Sequence, residues 1–435
     1  MSTRQLFSSR LATILTMVGV SVGLGNVWRF PYMMGRYGGS AFLFVYLAFT
    51  FLFAVPAMMA EWALGRETRK GPIGAFSAVM GSTLGKPIGF LLLFTVLVAN
   101  SYYLVVIASV VYTTCFSVFY GFTSTSIPEF EVGLSNGRLQ YVLALGTLLA
   151  SLYVIYRGLN KGIESVSKLF VPFFSFVMLY LVLSAFLLPG ASEKFVAFLK
   201  PNLGAMEAAT VFAALGQAFF SLGLGGTFLL IYGSYLQREQ PIPKSAIATA
   251  SGDVGAALCA SLFIVPSILF FGLDMTEGPT LIFSTLPKLF SVMPAGRWLG
   301  SGFLLALVLV AFLSAIAALE VLVGGISDGF KTEINRAKVI ITIGVLETIL
   351  MLPNALNPEF IGVLDLIFGS GMQVFGSALA VIGVAWGLRE QRALAQIFRD
   401  SNGIWPGMYF FWIRWVVPGA LLIILISYIY SSISK

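Results

Sequence analysis

Apolar residues along the chain form eleven long runs separated by short polar segments. The runs are on the scale of the ~20 residues with which a helix crosses a bilayer. They cover residues 11–34, 40–64, 87–120, 139–156, 166–188, 206–236, 245–273, 299–327, 337–352, 360–388 and 407–431. The pattern predicts an all-α polytopic membrane protein with eleven transmembrane helices. No linker or low-complexity segment divides the sequence, so we expect a single transmembrane domain over residues 1–435.

Two spans are interrupted by glycines in mid-helix: span one reads GVSVGLGN at residues 19–26, and span six reads SLGLGGTF at residues 221–228. Polar backbone inside a membrane is costly unless it has a partner. A matching pair of broken spans is typical of transporters built from inverted repeats, with the binding site between the repeats. We expect repeats over about residues 1–190 and 200–390, with an extra span at about 405–431. Close helix packing on glycine is the alternative explanation.

Ionisable residues inside the spans are the second indication of a site, because each is costly in a membrane and by default functional. Asp253 lies about ten residues into span seven, near the bilayer centre at ~1.5 Å per residue. Arg29 and Asp365 are the only charges of spans one and ten. Glu61 and Glu320 fall near span ends, where pairing or capping would explain them. The sequence offers no explanation for Glu347.

Composition and charge fit a membrane protein. Hydrophobic residues make up 58% and charged residues 10%, against roughly 45–50% and ~25% in soluble domains. Seventeen of the 26 Lys and Arg residues fall at the N-terminus and in alternate loops, against six on the other face. Since short cytoplasmic loops hold the basic excess, we expect a multi-pass protein of the cell inner (plasma) membrane, with the N-terminus cytoplasmic and the C-terminus outside. The net charge of +7 then reflects topology and contact with membrane lipid, not nucleic acid.

The chain resembles the neurotransmitter:sodium symporter family, in particular its bacterial amino-acid transporters. The motifs that carry the resemblance are GVSVGLGNVWRFPY, EWALGR, RGLNKGIESVSKLFVP, GQAFFSLGLG, YGSYL and TEGPTLIFSTLPKLFSVMP. The resemblance implies sodium-coupled symport of a small-molecule amino acid by alternating access. In that cycle spans one, two, six and seven rock against the remaining scaffold.

The resemblance also implies two sodium sites. Site one would use the Ser21 carbonyl, the Asn26 amide, the Ser221 hydroxyl and the Asp253 carboxylate. Site two would use the carbonyls of Gly19, Val22 and Val310 and the Ser314 hydroxyl. Leu313 stands where the family pattern has another hydroxyl, so one or two sodium ions remain possible. Ala257 replaces a residue that would help hold chloride, and Asp253 brings a fixed negative charge, so we expect no chloride requirement.

The implied substrate site lies between the broken spans. Its residues would be Ser21, Leu24, Gly25, Ala99, Tyr103, Phe220, Ser221, Gly223, Gly226, Ser314 and Ala318. The N–H groups of Leu24 and Gly25 would meet the substrate carboxylate. Gly23 stands where monoamine carriers have an Asp, which favours amino acids over amines. The small residues at positions 99, 223, 226 and 318 predict room for a bulky hydrophobic or aromatic L-amino acid.

Gates follow from the same resemblance. Arg29 and Asp365 would form the outer gate, with Phe220 as its lid. Arg4 and Asp328 would form the cytoplasmic gate, supported by the hydroxyl of Tyr235. Gly162 and Pro172 would mark a segment of span five that unwinds to admit water to site two; a simple proline kink is the alternative.

Several other functions are less well supported. An enzyme is not expected, because the chain has no His and no grouping of nucleophile, base and orienting residue. Cys115 and Cys259 lack metal-ligand or redox spacing, and we expect buried thiols. An ion or solute channel, or an amino-acid sensor that does not transport, remains an alternative, since polar breaks also line pores. A monomer or weak homo-oligomer is expected.

Overall fold

The computed structural model describes residues 5–200, 206–274, 281–329, 335–388, 390–398 and 404–433, and all regular secondary structure in these ranges is helical. The spans other than one and six are Ser40–Thr68 (span two), Pro72–Phe119 (three), Gly137–Tyr156 (four), Leu159–Phe186 (five), Ile242–Phe271 (seven), Gly296–Ser327 (eight), Arg336–Leu356 (nine), Glu359–Gly387 (ten) and Ile404–Ile426 (eleven). Short helices connect them at Ile127–Leu134, Ala191–Phe198, Thr285–Val292 and Glu390–Ile397.

Spans one and six are each broken into two helices. Span one bends by 61° between Arg10–Ser21 and Gly25–Arg36. Span six consists of Ala208–Ser221 and Phe228–Gly233. In its break Gly223 and Gly226 have φ values of 65° and 71°, a left-handed conformation that glycine adopts without the steric cost of a Cβ. The predicted discontinuous spans are confirmed.

Span three begins with a separate helical segment that folds back on the membrane-spanning part. Gly81, at φ 77° and ψ 161°, interrupts the helix that starts at Pro72. The two segments then approach so closely that a Cβ on Gly85 would lie 2.3 Å from the Phe76 carbonyl carbon. Glycines therefore set both the turn and the packing at the start of this span.

The halves of span one lie at the centre of the molecule and pack against spans five, seven and eight, while span three runs along span eight. Apolar side chains cover the outer surface, for example Phe176, Leu179 and Leu183 on span five, as expected of a surface that meets lipid. The predicted all-α polytopic fold is confirmed. The expectation of buried thiols is wrong, because Cys115 is exposed and Cys259 only partly buried; both lie on helices with apolar surroundings in which a thiol behaves as a small hydrophobic group.

Candidate ion and substrate site

The broken spans meet span seven at a buried cluster of three polar side chains. Asn26 Nδ2 donates to Asp253 Oδ1 at 2.7 Å and to Ser221 Oγ at 3.1 Å, and Ser221 Oγ donates to Asp253 Oδ2 at 2.6 Å. None of the three side-chain groups is more than 3% exposed. In the described part of the chain no basic side chain pairs with the Asp253 carboxylate. Because a buried carboxylate without a positive partner is costly, this cluster suits a bound cation.

Asn26 also shapes the break of span one. Its Oδ1 accepts a hydrogen bond from the Gly23 N–H at 3.0 Å. The last intrahelical bond before the break runs from the Val22 N–H to the Val18 carbonyl at 2.7 Å. The Gly19 carbonyl therefore lacks the donor that Gly23 would supply in a continuous helix. Ser21 ends this half-helix, and its buried hydroxyl has no hydrogen-bond partner among the described residues.

Three of the four ligands predicted for sodium site two converge. Ser314 Oγ lies 3.4 Å from both the Val22 and the Val310 carbonyl oxygens. The Cα of the fourth residue, Gly19, faces hydrocarbon: a Cβ placed on it would lie 2.8 Å from Leu313 Cδ1 and 3.2 Å from Val171 Cγ2. Leu313 is only 3% exposed. The side chain at the expected hydroxyl position thus fills space instead of supplying an oxygen.

The residues predicted to hold a substrate backbone surround Gly23 and Gly25. A Cβ on Gly23 would lie 3.0 Å from Ser314 Oγ and 3.3 Å from the Tyr103 hydroxyl. Leu24 precedes the π-helical turn Gly25–Arg29, and the first N–H groups of a helix have no intrahelical partner. These N–H groups and the Tyr103 hydroxyl are hydrogen-bond donors of the kind that a carboxylate needs.

The residues predicted for the far wall of the pocket have different surroundings. A Cβ on Gly223 would meet no atom within 4 Å, whereas a Cβ on Gly226 would lie 2.6 Å from the Gly376 carbonyl oxygen of span ten. Ala99 is partly exposed and Ala318 buried. Gly226 therefore allows close packing against span ten and leaves no vacant space there. The open part of the pocket wall is smaller than the sequence predicted.

Glu61 holds the break of span six, a role that sequence reasoning missed. Its Oε1 accepts hydrogen bonds from the N–H groups of Gly225 and Gly226 at 3.2 and 3.0 Å, and the side chain is fully buried. A broken helix exposes such donors, and a buried donor without a partner costs about 1–3 kcal/mol. The signal in the sequence is a carboxylate within span two, together with the glycine run of span six.

At the position predicted to lack a chloride ligand, Ala257 is fully buried and presents only a methyl group one turn beyond Asp253. Gln217, one turn before Ser221, is also fully buried, and neither polar atom of its amide has a partner among the described residues. Buried polar atoms of this kind need an explanation. Gln217 is thus a second residue near site one that the sequence did not single out.

On the outer side, the guanidinium of Arg29 lies 4.2 Å from the centre of the Phe220 ring, a cation–π contact. Phe220 in turn covers Gly25, with 2.6 Å between its Cε1 and a Cβ placed on that glycine. Asp365 accepts a hydrogen bond from the Tyr102 hydroxyl at 3.0 Å. Within the described ranges no ion pair joins Arg29 to Asp365, so the structure brings Arg29 and Phe220 together but not the two predicted gate charges.

On the opposite side, Asp328 Oδ2 accepts a hydrogen bond from the Gly71 N–H at 3.1 Å. The Tyr235 hydroxyl donates to Glu320 Oε1 at 2.5 Å, and Glu320 Oε2 pairs with Arg336 at 2.6 Å. Phe7 is 1% exposed and packs against Tyr235. Arg4, the other predicted member of this gate, lies outside the described residues. The chain near its N-terminus thus packs into this face.

Span five is helical through both residues predicted to mark an unwound segment. It begins with the π-helical turn Leu159–Ile163 and continues as the α-helix Glu164–Phe186, which includes Pro172. A Cβ on Gly162 would lie 2.1 Å from the Val154 carbonyl oxygen. In this conformation the glycine permits close packing of spans four and five, and the proline lies within a continuous helix.

A sequence profile of the Sodium:neurotransmitter symporter family matches residues 4–125 and 122–435. The chain belongs to this family. The sodium-dependent transporter YhdH of Bacillus subtilis is 28% identical over 97% of both chains. The "Sodium- and chloride-dependent GABA transporter ine" of Drosophila melanogaster is 25% identical over 97% of this chain and 50% of its own length.

The fold is also similar to that of a solved transporter structure. The crystal structure of MhsT in complex with L-phenylalanine superimposes with a TM-score of 0.88 and 29% sequence identity, covering 98% of this chain and all of MhsT. Family membership makes the chain a multi-pass membrane protein of a transporter family whose relatives are sodium-dependent.

Proposed function

We propose that the protein is a sodium-coupled symporter of amino acids that works by alternating access. The observation that carries the proposal is the cluster of Asn26, Ser221 and Asp253, which joins both helix breaks to span seven around a buried carboxylate. Sodium is a transported substrate in this proposal. Its binding favours whichever conformation holds the three groups together, and only differential binding of this kind can shift a conformational equilibrium.

Sodium site one would use the oxygen atoms of the cluster together with the Ser21 carbonyl. Unwound backbone and the C-terminal end of a half-helix supply carbonyl oxygens for sodium in this class of transporter. The Asn26 amide would turn its oxygen toward the ion. Because Asn26 Oδ1 now accepts from the Gly23 N–H, that turn would change the break of span one, which couples ion binding to the backbone beside the substrate.

Sodium site two is proposed to be weak, with one ion per cycle carried at site one. The carbonyls of Val22 and Val310 and the hydroxyl of Ser314 face one another. Leu313 supports the proposal, because its side chain packs on Gly19 where an oxygen ligand would otherwise stand. A hard cation prefers a fuller set of oxygen ligands.

The substrate is proposed to be an L-amino acid. Its carboxylate would accept hydrogen bonds from the Leu24 and Gly25 N–H groups and from Tyr103. Gly23 supports this assignment, since a Cβ there would lie 3.0 Å from Ser314 Oγ and 3.3 Å from the Tyr103 hydroxyl, so a larger residue would have to displace both groups. For the side chain we propose a bulky hydrophobic or aromatic group beside Gly223, Ala99 and Ala318, in line with the L-phenylalanine bound by MhsT. Burial of apolar area at ~25 cal/mol per Å² would favour such substrates.

Chloride independence is part of the proposal. Asp253 already supplies a fixed negative charge beside the sodium ligands, and Ala257 offers no polar group. We further propose a position in the cell inner membrane with the N-terminus cytoplasmic and the C-terminus outside, surrounded by lipid, and a monomer or weak homo-oligomer. Positive charge in the alternate loops supports this orientation.

The test is uptake of each of the twenty amino acids into proteoliposomes, with and without an inward sodium gradient. We expect saturable, sodium-dependent uptake that favours large apolar substrates and persists when gluconate replaces chloride. Sodium-independent uptake of every substrate would exclude the coupling, and loss of uptake in gluconate would exclude chloride independence. Equal competition by glycine, leucine and tryptophan would exclude the size preference. Sodium flux that neither saturates nor needs an amino acid would indicate a channel, and binding without uptake a sensor.

A further inference from the structure

Glu347 and Asn100 form a buried polar contact between spans nine and three, away from the cluster at site one. Asn100 Nδ2 donates to Glu347 Oε1 at 2.9 Å. Glu347 is fully buried and Asn100 is 2% exposed. Two atoms of this contact have no hydrogen-bond partner among the described residues: Glu347 Oε2 and Asn100 Oδ1. Each belongs to one of the two planar groups that already share a hydrogen bond.

The unpartnered atoms are both oxygens, and an ionised carboxylate cannot donate to an amide oxygen. One proton on Oε2 changes this, because a protonated carboxyl has an O–H donor as well as an acceptor. The carboxyl and the amide can then exchange two hydrogen bonds, N–H to Oε1 and O–H to Oδ1, in a closed ring. A single proton therefore satisfies both atoms, which buried polar groups in native proteins require.

The surroundings supply no positive charge to balance an ionised Glu347. Spans three, four and eight and the start of span ten pack against span nine. Ionisable groups on these spans are bonded to other partners or exposed: Tyr141 donates to the Thr348 carbonyl, Glu320 pairs with Arg336, Tyr102 donates to Asp365, and Glu359 is exposed. Across the described ranges no basic side chain bonds to Glu347. An uncompensated charge at such a position is costly, whereas a protonated carboxyl carries none.

A second contact between spans nine and three joins two neutral polar side chains. Asn354 Nδ2 donates to Ser101 Oγ at 3.2 Å. Residues 347 and 354 are seven apart and lie on one face of the helix, and they meet consecutive residues of span three. Asn100 also adjoins Ala99, so the two contacts fix the part of span three that we assign to the substrate pocket.

We propose that Glu347 is a proton-binding site, and that its carboxylic acid and the Asn100 amide form a cyclic pair with two hydrogen bonds that joins span nine to span three. The ligand of the site is a proton. The site uses none of the residues assigned to sodium or substrate. Its existence does not depend on the proposed transport function.

The test is infrared spectroscopy of the full-length protein in lipid. A protonated carboxyl gives a carbonyl band above the amide I band, and the band shifts in deuterium oxide. We expect Glu347→Gln to remove one such band while leaving the melting temperature near that of the wild type, since glutamine reproduces both hydrogen bonds. Glu129→Gln, at an exposed helix position, is the matched control and should leave the band intact. If Glu347→Gln instead removed carboxylate bands and left the carbonyl band intact, the proposal would be overturned. An ionised Glu347 that holds a sodium ion or a water molecule would give that result.

An exchange of the two groups tests the pairing itself. Asn100→Asp alone places two carboxyls together and should lower the melting temperature. Asn100→Asp combined with Glu347→Gln restores one acid and one amide in the same space. We expect the double variant to recover the melting temperature and to regain the protonated-carboxyl band, now on residue 100. A double variant no more stable than Asn100→Asp, or one without the band, would overturn the pairing.

Discussion

Replacement of Leu313 by threonine would put a hydroxyl at the position next to Ser314 in the chain, in place of hydrocarbon that lies against Gly19. Leu313 is buried, so the change also removes packing. Leu→Ala substitutions in cores cost about 2–5 kcal/mol, and threonine keeps part of the side-chain volume. We therefore expect Leu313→Thr to lower the sodium-free stability by about 2 kcal/mol. Leu313→Val has nearly the shape of threonine without its oxygen and is the matched control.

The magnitude that decides the question is the response to sodium. A ligand that binds only the native state stabilises it by RT ln(1 + [L]/Kd), which above saturation is about 1.4 kcal/mol per tenfold increase for one ion and ~2.8 kcal/mol for two. We expect the one-ion response for the wild type and for Leu313→Val, and the two-ion response for Leu313→Thr. Addition of Ser314→Ala to Leu313→Thr should return it to the one-ion response.

The assay is chemical unfolding of the purified protein in detergent at several sodium concentrations, with choline replacing sodium so that ionic strength stays constant. A stabilisation of the wild type by ~2.8 kcal/mol per tenfold increase in sodium, as expected for two ions, would mean that site two is filled despite Leu313. Equal responses of the threonine and valine variants would mean that the hydroxyl builds no site. Either result would refute the reasoning about Leu313.

Three further changes have expected outcomes. Asp253→Ala removes the only carboxylate of the cluster. The apparent affinity for sodium, measured by the same unfolding assay, should therefore fall more than tenfold. An unchanged affinity would argue against site one. Glu61→Ala leaves the N–H groups of Gly225 and Gly226 without their acceptor. At about 1–3 kcal/mol for each group, the free energy of unfolding should fall by about 2–6 kcal/mol. Glu61→Gln keeps an acceptor oxygen and should be less affected in thermal unfolding. In Gly226→Ala the new Cβ would lie 2.6 Å from the Gly376 carbonyl oxygen, on a residue with positive φ. This variant should fold poorly, as judged by size-exclusion chromatography. In Gly223→Ala the new Cβ meets open space, so the change should cost only the backbone strain of about 1–2 kcal/mol.

Much of the fold could be predicted from the sequence because its signals are local. Runs of apolar residues have the length of a membrane span, and glycines at 19–26 and 221–226 stand out against them. The cluster of Asn26, Ser221 and Asp253 was also accessible, because a carboxylate deep in span seven needs partners and the resemblance named them. The family profile then confirmed the resemblance.

The contacts that sequence reasoning missed depend on how distant spans approach each other. Gly226 was read as pocket wall, yet its neighbour is the Gly376 backbone 150 positions away, which no local pattern reports. Asp365 looked like the partner of Arg29 by charge alone, whereas a tyrosine hydroxyl on span three reaches it. Glu347 had no explanation, because its partner is a neutral amide 247 residues away.

The coupling of sodium to substrate is tested most directly by letting a substrate gradient drive the movement of sodium. In proteoliposomes with equal sodium on both sides, an inward gradient of a transported amino acid should drive the uptake of radioactive sodium above its equilibrium level, because coupling between two ligands is reciprocal. Asp253→Ala should abolish this uphill movement. Transport of the amino acid without any net movement of sodium would contradict the account.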